Sequence, residues 1–76
     1  MIEDAPKRWW NYRIIDFGDH KALHEVHYED GRPVAYAEHP ATFVCDPDQD
    51  DIPAALERAL ADARKHPILP VSDIAR

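Results

Sequence analysis

Hydrophobic and polar residues alternate along three short stretches in the first half of the chain. The stretches run from Trp9 to Phe17, from Ala22 to Glu29 and from Pro33 to Glu38. Alternation with a period of two in aromatic and β-branched residues is typical of strands. Turn formers separate the stretches, with Gly18 after the first and Asp-Gly at positions 30–31 after the second. The pattern predicts three antiparallel strands joined by tight hairpins.

A two-residue turn at positions 30–31 would place Glu29 opposite Arg32 and so fix which side chains share a face of the sheet. One predicted face carries His24, Val26, Tyr28, Pro33, Ala35 and Ala37. The other carries Leu23, Glu25, His27, Val34, Tyr36 and Glu38. The first face is apolar and low in relief, so it is the face on which a helix is expected to pack.

The second half of the chain has a period of 3.6, which predicts one helix over residues 51–66. Pro53 suits its first turn and Pro67 ends it. Asp50 or Asp51 is expected to cap the start. The predicted apolar stripe consists of Ile52, Ala55, Leu56, Ala59, Leu60 and Ala63.

Together these elements predict an α+β fold in a single domain over residues 1–76. The sheet is expected to be antiparallel, with three or four strands in the order β-β-β-α and one C-terminal helix on a face. The segment "HPATFVC" is extended enough to add a short strand, and the apolar tail "PILPV" is expected to dock on the sheet or the helix. Residues 1–7 and 72–76 are expected to be flexible ends.

Charge and cysteine content narrow the class of partner and the compartment. The net charge is −6, from 15 acids and 9 bases, and an acidic surface repels nucleic acid and anionic membranes. The stretch "KRWWNYR" mixes bases with aromatic residues, but an amphipathic first strand explains it more simply. A single Cys45 allows no internal disulfide. No signal peptide or membrane span is recognisable, so we expect a cytoplasmic protein without nucleic-acid or membrane partners.

A calcium loop is the alternative function that the sequence raises. Asp46, Asp48, Asp50 and Glu57 occupy the first, third, fifth and twelfth places of an EF-hand loop. However, Asp51 stands where that loop needs glycine, Pro53 follows two places later, and the preceding segment is not helical. Acids before a helix start also interact favourably with its dipole, and this is the simpler explanation.

The chain contains no recognisable catalytic or metal-binding constellation. His24 and His27 would point to opposite faces of one strand, whereas zinc needs three or four convergent ligands. No glycine-rich phosphate loop exists, and Cys45 has no partner fixed by the sequence. We therefore expect no enzyme activity, no cofactor and no metal site.

The aromatic residues make protein binding the favoured function. Trp9 and Trp10 fall on opposite faces of the first strand, so one helix cannot cover both, and Tyr36 belongs to the face left open. Trp and Tyr are common binding hot spots. The sequence predicts a non-enzymatic interaction or regulatory module that contacts an unknown protein partner, or a second copy in a homodimer, through Trp9, Trp10 and Tyr36. An acidic inhibitor that mimics nucleic acid is a variant, and a monomer whose tail covers the patch is the rival.

Several short motifs of the sequence resemble those of a group of short uncharacterised bacterial proteins. "WNYRII", "LHEVHYEDGRPVAYAEHPA" and "HPIL" match, in order, a Trp-Asn-Tyr-Arg start, a His-Glu-Val strand, an Asp-Gly turn followed by Pro, and a Pro-Ile/Val-Leu end. The resemblance runs from Trp10 to about Leu69. It implies a bacterial cytosolic protein and carries no assigned activity.

Overall fold

The computed structural model describes residues 7–44, 48 and 51–74 as one mixed sheet with one helix. The strands are β1 (Arg8–Asp16), β2 (Lys21–Glu29), β3 (Arg32–Tyr36) and β4 (Leu69–Pro70), and the helix is α1 (Ile52–Lys65). A short 3₁₀ turn follows at Val71–Asp73. The sheet order is β3-β2-β1-β4. The α+β class, the three hairpin strands and the single helix are confirmed.

The β1–β2 hairpin closes over residues 17–20, and the β2–β3 hairpin closes with a two-residue turn at positions 30–31. The amide of Phe17 donates to the carbonyl of His20 at 2.9 Å, and Gly18 between them has a φ of 97°. In the second turn Asp30 and Gly31 have φ of 51° and 81°, the left-handed values that a type I′ turn requires. Glu29 lies opposite Arg32, as predicted.

A β-bulge changes the register beyond this turn. Tyr28 pairs with Pro33, but the next residue back, His27, pairs with Ala35, so Val34 is an extra residue in β3. Because one inserted residue reverses which side chains share a face, Tyr36 now lies opposite Val26. The predicted placement of Ala35 beside Val26, and of Tyr36 on the opposite face, is wrong for this reason.

The fourth strand comes from the C-terminal tail and runs parallel to β1. Ile15 pairs with Leu69 and Asp16 with Pro70, so the prediction of an entirely antiparallel sheet is corrected. Along α1, Arg58 lies at Trp10 and Asp62 at Tyr12, so the helix runs in the same direction as β1. The chain therefore arrives at the far end of β1, and β4 continues in the same direction beside it. Residues 39–44 form no strand, although the amide of Ala41 donates to the carbonyl of Leu23 at 2.8 Å.

The tail covers the sheet face that was expected to receive the helix. Its side chains Leu69 and Ile74 form the core together with Ile15, Val26 and Tyr28 of the sheet. Docking of the tail is therefore confirmed. The predicted helix position is wrong, because α1 contacts β1 from the side of Trp10 and Tyr12. His24, on the tail's side, is buried, and its Nδ1 lies 2.8 Å from the carbonyl of Ala37.

The helix has the predicted extent but buries less of its apolar stripe than predicted. Ala59 is buried, whereas Leu56 and Leu60 are about half exposed, because α1 rests mainly on a single strand. Asp51 occupies the N-cap position without a side-chain hydrogen bond. Asp62 of α1 links the helix to β1. Its Oδ2 accepts a hydrogen bond from the Tyr12 amide at 3.1 Å and so satisfies a backbone donor on the outer side of β1.

Arg13 ties the segment after the helix to the sheet, and its replacement by lysine should destabilise the fold. Its Nε donates to the carbonyl of Pro67 at 2.9 Å and its Nη1 to the hydroxyl of Tyr28 at 3.1 Å. A lysine ammonium cannot reproduce this fork. We expect Arg13→Lys to cost about 1–2 kcal/mol of unfolding free energy. Urea denaturation measures it against Arg32→Lys, a substitution at an exposed hairpin arginine, and equal midpoints for the two variants would contradict the role of the fork.

No helix in the described ranges is long and apolar enough to cross a membrane.

Candidate functional site

An open cleft of about 430 Å³ lies at the end of the sheet where β1 begins and the β2–β3 hairpin turns. Its lining comes from three strands: Arg8, Trp9, Trp10, His27, Tyr28, Glu29 and Val34. A second open cleft of about 420 Å³ is lined by Val34, Ala35, Tyr36 and Glu38. Val34, the residue inserted by the bulge, borders both. We call the first of these the Trp cleft.

The strand register shows which side chains face the Trp cleft. Arg8 pairs with Glu29, and Trp10 pairs with His27. Because side chains alternate along strands, these four point to the same side of the sheet. That is also the side on which α1 packs, but the helix contacts β1 far more than β2, and His27 of β2 is exposed.

The three residues predicted to mediate binding occupy different environments. Trp9 is 45% exposed, and its ring stacks on Tyr28 with centroids 4.0 Å apart. Trp10 is partly buried because Arg58 lies 4.2 Å over its ring, a cation–π contact that holds the indole in place. Tyr36 packs partly against the core and lines the second cleft. Both tryptophans border the Trp cleft but from opposite sides of the sheet: Trp10 points to the side of His27 and the helix, and Trp9 to the side of Tyr28. Tyr36 lines the neighbouring cleft.

The Trp cleft mixes both signs of charge with its aromatic walls. Arg8 and His27 are exposed and Glu29 is partly exposed. The ion pairs found within the described ranges join Asp19 to His20 and Arg58 to Asp62, and neither includes Arg8 or Glu29. The cleft therefore presents one cation and one anion that are not already neutralised by an ion pair there.

The cleft residues do not form a recognisable catalytic arrangement. His27 and Glu29 line the same cleft, but none of its lining residues is a serine, threonine or cysteine that could act as a nucleophile. The candidates considered from the sequence are elsewhere: His24 is buried on the opposite face, His39 is exposed after β3, and Cys45 lies outside the described residues. The expectation of no enzyme activity remains a prediction.

Metal binding has no support from the residues that the structure describes. No group of three or more His, Cys, Asp or Glu side chains in that part of the chain could hold an ion. Two of the four predicted calcium ligands, Asp46 and Asp50, lie outside the described residues. Asp48 is exposed, and Glu57 is an exposed residue of α1. The calcium loop therefore stays an untested alternative.

Asn11 is a polar residue buried in the sheet close to the tryptophans. It is 4% exposed, and neither its Oδ1 nor its Nδ2 has a hydrogen-bond partner within the described structure. Asn11 pairs with Val26, and the hydrogen bond from Arg13 to Tyr28 spans this pair on the same face. A buried amide without partners is costly. We therefore expect Asn11 to lower the stability of the fold at the centre of β1.

One perturbed carboxylate lies in the β1–β2 turn, at the opposite end of these strands from the Trp cleft. Asp19 Oδ1 lies 2.6 Å from Nδ1 of His20. This hydrogen bond, with the charge attraction that accompanies it, lowers the pKa of Asp19 below its ordinary value. Both groups are exposed, so the contact is a local feature of the turn.

The sequence identified the aromatic residues of the cleft but missed its charged ones. Arg8 precedes the predicted first strand, and His27 and Glu29 look like ordinary solvent-facing strand residues. The hairpin register could have identified these charged residues. It sets Glu29 opposite Arg32, and pairing β1 with β2 would then have placed Arg8 on the other side of Glu29. Val34 could not be found in this way because the bulge is invisible in the alternation.

Comparison with known proteins adds no identification: no protein-family model, no curated protein and no solved structure matches the chain.

Proposed function

We propose that this chain is a non-enzymatic protein-interaction module that binds its partner at the end of the sheet formed by the Trp cleft and the exposed Trp9 at its edge. The observation that carries the proposal is the exposure of Trp9, a large aromatic side chain that is 45% accessible and held rigid by its stack on Tyr28. Tryptophan supplies a large contact area at low cost in conformational entropy, and it is enriched among binding hot spots.

The composition of the cleft supports a protein partner. Apolar walls with a few charged groups at the rim are the usual anatomy of a contact surface between proteins. Trp10 is fixed by Arg58, and β1 and β2 provide a rigid floor. A preorganised surface of this kind loses little conformational freedom on binding, because its side chains are already ordered.

Affinity capture from a bacterial lysate tests the proposal with matched variants. We expect Trp9→Ala to reduce capture of a specific partner about thirtyfold, the equivalent of about 2 kcal/mol for a hot-spot residue. His27→Ala, which removes an exposed cleft side chain, should also weaken it. Leu60→Ala removes an equally exposed apolar side chain from α1, outside the cleft, and should capture as much partner as the unmodified protein.

Folding of each bait must be checked by its melting temperature, since Trp9→Ala also removes the stack on Tyr28. A folded Trp9→Ala bait that retains the full set of captured proteins would contradict the proposal. A loss of capture with Leu60→Ala but not with the cleft variants would place the binding surface on the helix instead.

A further inference from the structure

The end of the sheet that contains the Trp cleft differs in charge from the rest of the chain. Lys7 precedes β1 and Arg8 begins it, and Glu29, Asp30 and Arg32 belong to the facing hairpin. These are three bases and two acids, which leaves thirteen acids against six bases for the remainder. Two copies of such a chain repel one another through most of their surface. They repel least at this end.

Arg8 and Glu29 are arranged so that a second copy can complement both. They are direct partners across β1 and β2, and both point to the side of Trp10 and His27. Neither belongs to the ion pairs found in the described ranges. In a two-fold dimer every contact occurs twice with the roles exchanged. Arg8 of one copy can therefore face Glu29 of the other, and the same pair forms again across the axis.

We propose that the partner bound at the Trp cleft is a second copy of this chain, docked by a two-fold axis so that Arg8 of each copy pairs with Glu29 of the other. Trp10 lies on the same side of the sheet as these pairs, and Trp9 lies at the same end on the opposite side of β1. The inference rests on the proposed function, since it names the protein that occupies the cleft.

Light scattering with charge-reversed variants tests this arrangement. At micromolar concentration the unmodified chain should show twice its own mass of 8.7 kDa. Arg8→Glu places two acids at each contact, and Glu29→Arg places two bases there, so each variant alone should associate at least about tenfold more weakly. A one-to-one mixture of the two variants restores opposite charges at both contacts. The mixture should therefore recover the dimer mass.

Two controls complete the experiment. The double variant with both reversals in one chain should dimerise by itself, because its contacts are again of opposite sign. Arg64→Glu reverses an exposed charge in the last turn of α1, outside the proposed contact, and should leave the dimer intact. Melting temperatures of the single variants exclude simple unfolding, since an acid beside Glu29 within one copy also costs some stability.

The outcomes separate this inference from the proposed function. A mass of 8.7 kDa for the unmodified chain overturns the dimer, and so does a mixture of the two reversed variants that stays monomeric. Capture of a different protein that depends on Trp9 would leave the proposed function standing in either case. If Trp9→Ala and His27→Ala change neither capture nor self-association, the proposed function itself fails.

Discussion

Replacing Ile15 by alanine should destabilise the protein by about 2–5 kcal/mol, the range for truncating a buried isoleucine. Ile15 is 0% exposed and lies between the hairpin and the tail, paired with Ala22 on one side and Leu69 on the other. The effect is large because a chain of 76 residues has a total stability of roughly 4–11 kcal/mol. Thermal denaturation followed by circular dichroism should show a loss of about 10 °C or more.

Ile68→Ala is the matched control for this substitution. It removes the same atoms from a side chain that is 48% exposed, so the melting temperature should change by only a few degrees. Similar losses for the two variants would mean that β4 does not close over Ile15 in solution. That result would remove the tail from the core.

Replacing Asn11 by valine should raise the stability by about 1–3 kcal/mol, the desolvation cost of a buried amide without hydrogen bonds. Valine is similar in size and favours strands. It can pack against Val26, the partner of Asn11 across the sheet. We expect the urea midpoint and the melting temperature to rise together, by at least about 4 °C for the latter.

Asn11→Asp controls for the shape of the side chain. It keeps the outline of asparagine and adds a charge to a position that is 4% exposed, so it should lower the melting temperature. If Asn11→Val is instead less stable than the unmodified protein, the amide of Asn11 forms hydrogen bonds in solution. In that case Asn11 stabilises β1, and its amide does not carry the desolvation cost inferred above.

The candidate site was partly predictable because aromatic residues are conspicuous in a sequence and charged strand residues are not. Trp9 and Trp10 were recognised as a pair that one helix cannot cover, and the structure places both at the Trp cleft. The contribution of Glu29 depends on its pairing with Arg8, a contact between residues 21 positions apart. Such a contact is decided by how β1 and β2 pair, and composition does not reveal it.

The sequence by itself determined the local elements of this protein. Asp30 and Gly31 can adopt the left-handed backbone of a type I′ turn, so the hairpin and the pairing of Glu29 with Arg32 follow from neighbouring residues alone. The helix is equally local, since its 3.6-residue period and Pro67 act within the segment itself. These features depend on short-range geometry, which one stretch of chain already contains.

Only the tertiary structure decided which element covers each face of the sheet. The bulge at Val34 moves Tyr36 to the side of Val26, where the tail packs. Because the tail covers that side, the helix packs on the opposite side, at Trp10. An apolar face can be buried equally well by a helix or by an extended apolar tail. The hydrophobic free energy depends on the apolar area removed from water and not on the element that covers it. The choice depends on packing over the whole chain, and no local pattern encodes it.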